Sequence, residues 1–166
     1  MKKILVDKLQ RIVKAKKQLE KKLEVKISNR GKEVYIEGSP ENEYIAEKVV
    51  DAINFGFPIS TAMLIAEEDL EFEILNIKDY TTRKDLERIK GRLIGKGGRT
   101  LKTLSDLTEC FFEIKENFIA IIGEPEFMKN AQEAAIELIK GSKQGNVYGR
   151  LERNRPKPVQ DLGLKE

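Results

Sequence analysis

The chain has 166 residues, 40% of them hydrophobic and 36% charged, enough to bury a core as one ordinary domain or as two modules of about 70 residues each. A single cysteine, Cys110, excludes an internal disulfide, and the lack of histidine removes the common zinc sets and histidine-based acid/base chemistry. The net charge of +3 conceals blocks: 10 Lys/Arg against 3 Asp/Glu in residues 1–29, 4 against 12 in 30–81, and 8 against 3 in 82–106. Clustered cations in a nearly neutral chain suit a polyanion site, although solvated helix faces carry the same pattern.

In chain order, Ile4–Val6 predicts a strand. Leu9, Ile12, Val13, Leu19 and Leu23 then recur at helical spacing beside a face of lysines. Two alternating segments, Glu24–Ser28 and Glu33–Glu37, flank the turn residues Asn29-Arg30-Gly31 and predict a hairpin. Ser39-Pro40 starts a helix striped by Ile45, Val49, Val50 and Ile53, which Gly56-Phe57-Pro58 ends, and Ser60–Ala66 is one more short helix. The second half runs strand (72–77), helix (83–93), glycine loop (95–98), helix (100–107), hairpin around Glu116-Asn117, and a helix opened by Gly123-Glu124-Pro125-Glu126. The two halves correspond at their closing segments, which predicts an internal duplication with its boundary near Glu67–Leu70, an acidic run between a helix and a strand. The expected division is 1–69, 70–144, and a basic C-terminal tail over 145–166. Cys110, between a polar helix and an apolar strand, reads as a small buried side chain rather than a nucleophile.

No apolar run approaches the roughly 20 residues that a membrane span needs, and Met1–Asp7 is too short for a signal-peptide core. A cytoplasmic protein without a membrane partner is expected.

The glycine loop Ile94-Gly95-Lys96-Gly97-Gly98-Arg99-Thr100 carries the chemistry. A nucleotide-binding P-loop needs four residues between its first glycine and the Gly-Lys pair; here three separate Gly91 from Gly95, and Gly97 rather than Ser or Thr follows Lys96. A plain helix–helix turn requires about one glycine, to permit a positive φ. The remaining reading is the G-x-x-G loop of a KH domain, whose glycines let a nucleic-acid backbone approach main-chain atoms. Lys96, with Arg92, Arg99 and Lys102 on neighbouring turns, would pair with sugar-phosphate oxygens, and the amides that open the next helix at Thr100 would face the phosphates. Ile94, Leu101 and Leu104 are either an apolar floor beneath the bases or ordinary core residues.

Residues 71–155 resemble the second KH domain of the archaeal relatives of the pre-rRNA-processing factor Partner of Nob, also called Dim-two. The stretches that carry the likeness are Asn76–Tyr80, Arg88–Arg99, Ala120–Glu126, Gly145–Tyr148 and Leu151–Arg153. The resemblance implies an α+β protein of two tandem type I KH domains (βααββα) that binds single-stranded RNA near the 3′ end of small-subunit rRNA and assists its maturation. It further implies work beside the endonuclease that cuts there, and a link to the initiation factor that delivers initiator tRNA. The candidate RNA-binding residues are therefore Arg92, Ile94, Gly95, Lys96, Gly97, Gly98, Arg99, Thr100 and Lys102, with no catalytic residue, metal or cofactor expected. One departure stands out: counting back from Val25-Lys26-Ile27 puts the first domain's loop at Gln10–Val13, and no glycine precedes Gly31. The first domain is expected to be shortened and to lack the loop, serving either as an auxiliary lysine surface or for protein contacts. The rival from another class is a protein-interaction scaffold in which the glycine loop is only a turn. A Mg²⁺ nuclease has no spaced carboxylate set to support it.

Overall fold

The structure, a computed structural model, describes residues 1–155. Two α+β units follow one another, each built on a three-stranded antiparallel sheet with its last hairpin strand in the centre.

In the first unit β1 (Lys2–Leu5) and β2 (Lys26–Arg30) flank β3 (Glu33–Glu37), and α1 (Leu9–Leu23) and α2 (Pro40–Phe55) cover one face. The hairpin turns one residue pair later than its sequence predicts: Asn29 and Arg30 pair with Val34 and Glu33, leaving Gly31, at φ +60°, and Lys32 in the turn. Ser39 caps α2 through its hydroxyl, which accepts the Asn42 N–H at 3.2 Å, and Pro40 stands inside the first turn, where its missing N–H costs nothing. A short helix, α3 (Ile59–Glu67), closes the unit.

The expected loop position Gln10–Val13 lies inside α1, with Ile12 buried. The chain passes from β1 to α1 through three residues, so the helix that precedes a KH glycine loop is missing along with the loop. Its stabilising role is taken by α2. Asn54 Oδ1 accepts the N–H groups of Asp7 (2.8 Å) and Lys8 (3.0 Å), and the Arg11 guanidinium donates to the carbonyls of Ile53 (2.7 Å) and Phe57 (2.8 Å). The start of α1 and the end of α2 thus satisfy one another's unpaired backbone groups.

The second unit runs β4 (Glu71–Asn76), a 3-10 turn (Ile77–Tyr80), α4 (Leu86–Ile94), a 3-10 turn at Lys96–Gly98, α5 (Arg99–Thr108), β5 (Phe111–Lys115), β6 (Phe118–Gly123) and α6 (Pro125–Ile139). This is the strand, two helices, two strands, helix order expected. The polar composition after Gly141 predicts a tail, but Gln144–Asn154 forms a further helix, α7. Val147 and Leu151, one helical turn apart, are buried in the second core against α5 and α6, and burial of that pair outweighs the polar character of the rest. The part of the expected tail from 156 to 166 lies outside the described residues.

Strand β6 explains how the units join. Its unbroken apolar run is buried on both faces, Ile119 and Ile121 in the second core and Ala120 and Ile122 in the first. Phe57, 1% exposed at the α2–α3 junction, meets Phe72 of β4 edge to face, with ring centroids 6.2 Å apart. Lys115 Nζ reaches Asp7 Oδ2 at 2.7 Å and the Asn54 carbonyl at 3.5 Å. The first unit is docked on the outer face of the second unit's sheet, and that leaves the second unit's helical side open.

Candidate nucleic-acid interface

The glycine loop sits on that open side, between α4 and α5. Helix α4 ends at Ile94 because Gly95 adopts φ +76°, ψ 169°, a conformation open essentially to glycine alone, while its N–H still bonds the Gly91 carbonyl at 2.8 Å. The position is also crowded: a Cβ at Gly95 would lie 2.6 Å from the Thr100 nitrogen and 2.8 Å from its Cβ. Gly97 (φ +65°) and Gly98 (φ +78°) are left-handed as well, but a Cβ at either meets nothing within 4 Å. Gly95 is therefore glycine for packing and backbone, whereas Gly97 and Gly98 leave a bare, open stretch of main chain facing out.

Helix α5 begins directly after this stretch, and no side chain caps its first turn. The Gly98 and Arg99 N–H groups bond the Gly95 and Lys96 carbonyls, so it is the positive end of the helix dipole that makes this end attractive to an anion. Lys96, Arg99 and Lys102 are exposed around it, and none forms an ion pair among the described residues.

The structure divides the sequence-predicted site residues. Gly95, Lys96, Gly97, Gly98, Arg99 and Lys102 come together on the surface of the loop and the first turns of α5. Thr100 turns inward instead: it is 4% exposed and its Oγ1 accepts a hydrogen bond from Gln144 Nε2 at 3.1 Å. Arg92 is half-buried and donates through Nη2 to the Ser142 carbonyl at 2.9 Å, so part of its guanidinium is committed to the fold. Leu104 is fully buried in the core, leaving half-buried Ile94 and Leu101 as the apolar surface next to the loop.

Gln144 was invisible to sequence reasoning. From the first turn of α7 its amide also reaches the Arg92 carbonyl at 3.4 Å, so one side chain ties the end of α4 to the start of α5 behind the loop. Its part depends on a contact across 44 residues; the available signal was the Val147/Leu151 pair, which marks a packed helix there.

Cys110 is buried, and burial pushes its thiol up to about 11, far from thiolate chemistry. Its Sγ donates to the Thr108 carbonyl at 3.4 Å and packs against Gly123. Among the described residues no group of three His, Cys, Asp or Glu side chains is placed to hold a metal ion, and no helix is long and apolar enough to cross a membrane.

Two helices, a glycine loop with left-handed main chain and an uncapped following helix are the features of a KH domain. Residues 71–156, more than half of the chain, match the family model for the second KH domain of PNO1 proteins, a eukaryotic-type, type I KH domain. The chain belongs to this KH family. A KH domain-containing protein of Methanocaldococcus jannaschii is 32% identical over 149 residues, covering 86% of this chain and 66% of that protein. The RNA-binding protein pno1 of Drosophila pseudoobscura pseudoobscura is 35% identical over 138 residues, 78% of this chain and 58% of that protein. The chain thus spans roughly three fifths to two thirds of the length of these relatives. Among solved structures, a chain of the a/eIF2alpha–aDim2p–rRNA complex from Pyrococcus horikoshii OT3 superposes with a TM-score of 0.84 at 29% identity, covering 93% of both chains.

The first unit is accordingly a shortened KH domain. It keeps the β1-β3-β2 sheet and two helices and lacks the G-x-x-G loop, as its sequence predicts.

Proposed function

We propose that this protein is a non-enzymatic RNA-binding factor of small-subunit ribosome biogenesis that grips single-stranded rRNA near its 3′ end through the second KH domain. The observation that carries the reading is the bare glycine main chain at Gly97-Gly98, running straight into the uncapped start of α5 and ringed by Lys96, Arg99 and Lys102. In KH domains such a loop clamps about four nucleotides by their backbone. Here Lys96, Arg99 and Lys102 pair with phosphate oxygens, while Ile94 and Leu101 contact the bases. Gly95 and Thr100 act from behind by holding the loop's shape, and Arg92 contributes with the part of its guanidinium left free by Ser142.

The relatives' names and the rRNA complex of the structural neighbour support the assignment to ribosome maturation. The same complex supports contact with the initiation factor that delivers initiator tRNA. Contact with the endonuclease that cuts the rRNA 3′ end belongs to the same proposal, as do a cytoplasmic location and a boundary between the domains near residues 69–70.

The test is a titration of the protein with a single-stranded RNA matching the small-subunit 3′ region and with a scrambled RNA, at several salt concentrations. Preference for the rRNA sequence is expected, with log affinity falling along log salt by about 0.7 per phosphate engaged. Equal binding of the two RNAs would remove the 3′-end assignment; no binding of either would leave a protein-interaction scaffold.

A further inference from the structure

A second cationic surface lies beyond the glycine loop. An open groove of about 520 Å³ runs between the 3-10 turn after β4 and the end of α6, lined by Lys78, Arg83 and Lys140 together with Tyr80, Thr82 and Asp79. Three cations face one carboxylate, and none of the three forms an ion pair among the described residues. Like charges held together in this way repel one another unless an anion joins them.

The groove is physically linked to the loop. The segment from Lys140 to Gln144 leaves the groove, and at Gly141 a Cβ would lie 3.6 Å from an Arg83 guanidinium nitrogen and 3.9 Å from one of Arg92, so two guanidinium groups converge on this glycine. The next residue, Ser142, holds Arg92 through its carbonyl, and Gln144 reaches Thr100 behind the glycine loop. Cations therefore stand in the groove at Lys78, Arg83 and Lys140, beside Gly141 at Arg83 and Arg92, and on the loop at Lys96 and Arg99. None of the sequence motifs pointed to this groove, because its residues come from two segments, 78–83 and Lys140, far apart in the chain.

We infer that the groove binds the phosphodiester backbone of the RNA strand where it continues past the nucleotides clamped by the glycine loop, engaging two or three flanking phosphates. Lys78, Arg83 and Lys140 supply the charge, and Thr82 and Tyr80 offer hydroxyl groups to the same oxygens. This assignment rests on the KH reading of the loop and extends its footprint.

The experiment compares three proteins on a short RNA and on two extended forms of it. The short RNA is about four nucleotides, the length a KH loop clamps, and each extended form about twice as long, lengthened on the 5′ or the 3′ side. The proteins are the wild type, a triple variant Lys78→Gln/Arg83→Gln/Lys140→Gln, and the loop variant Lys96→Asp/Gly97→Asp, read by fluorescence anisotropy across a salt series. The wild type is expected to gain affinity from one of the two extensions. The triple variant should bind the short RNA as the wild type does, lose that gain by about tenfold, and show a salt slope smaller by about 2 on the extended RNA. The loop variant should lose all of these RNAs. A triple variant that matches the wild type in affinity and slope on every extended RNA overturns the groove and leaves the loop standing, as does a wild type that gains nothing from added length. A wild type that binds none of these RNAs overturns the KH reading, and the groove with it.

Discussion

Gln144 Nε2 donates to Thr100 Oγ1 at 3.1 Å, so a residue of the last helix holds the first turn of α5 in place behind the glycine loop. Gln144→Ala removes this bond and leaves the buried Thr100 hydroxyl without a partner, at a cost of about 1–2 kcal/mol. Part of that loss falls on loop order. RNA affinity is expected to drop several-fold with a small change in thermal midpoint, and Gln144→Glu, which can accept from the Thr100 hydroxyl but cannot donate to the Arg92 carbonyl, should restore it only in part. Anisotropy titration and thermal unfolding monitored by circular dichroism measure the two effects.

The glycines of the loop should separate by their surroundings. Gly95→Ala places a Cβ against the Thr100 backbone at a φ/ψ combination (+76°, 169°) open essentially to glycine alone, and should destabilise the protein by about 3 kcal/mol or more. Gly97→Ala meets open space and pays only the left-handed strain, about 1 kcal/mol. Urea unfolding of the two variants checks the difference; equal losses would mean that the crowding at Gly95 is relieved by movement of Thr100.

Much of this arrangement was legible before the structure. The apolar patterns located twelve of the elements because most bury one clear face and β6, buried on both, is an unbroken apolar run, and the G-x-x-G loop was found because glycine is obligatory there. The tail after Gly141 was misjudged: only Val147 and Leu151 reveal that helix, and neither shows its partner in isolation. The internal bonds of the Thr100 and Arg92 side chains were not legible for a related reason. Sequence position put both beside the loop, but a side chain's direction depends on what arrives from 44 to 50 residues away. The first domain's shortening and missing glycine loop were anticipated from its lack of glycine, whereas the missing helix and the Asn54 and Arg11 contacts that replace it were not, since those bonds cross more than 40 residues.

Strand β6 gives the cores of the two units a shared layer, and the units should unfold together. Phe57→Ala removes a fully buried ring from the contact with Phe72, a loss of about 3–5 kcal/mol. Tyr35 and Tyr44 report on the first unit and Tyr80 and Tyr148 on the second, in a chain without tryptophan. Tyrosine fluorescence and circular dichroism are expected to give one coincident urea transition in the wild type, shifted to lower urea in the variant. Two separated transitions in the wild type would contradict the shared layer.

Asp51 gives the protein a pH-dependent weakness. Burial, with the nearby Glu47 carboxylate, pushes it from its usual 3.8 up to about 6. The folded state therefore holds this proton more tightly than the unfolded chain does: Asp51 imposes no penalty below about pH 4, an increasing one between 4 and 6, and its full penalty above 6. Asp51→Asn should stabilise the protein by about 1–2 kcal/mol at pH 7.5, after allowance for the carboxyl's partial exposure, and by nothing at pH 3.5. Thermal unfolding of both proteins at the two pH values measures it, and an equal gain at both would exclude the ionisation as its cause.

The central claim is that the glycine loop is the RNA grip. Lys96→Asp/Gly97→Asp tests it most directly, because Lys96 is exposed and Gly97 has open space around a left-handed backbone that aspartate tolerates, so the fold survives the change. Anisotropy titration with single-stranded RNA from the small-subunit 3′ region, alongside circular dichroism of both proteins, should show tight binding by the wild type and its loss in a folded variant. A folded variant that binds this RNA as well as the wild type would contradict the account.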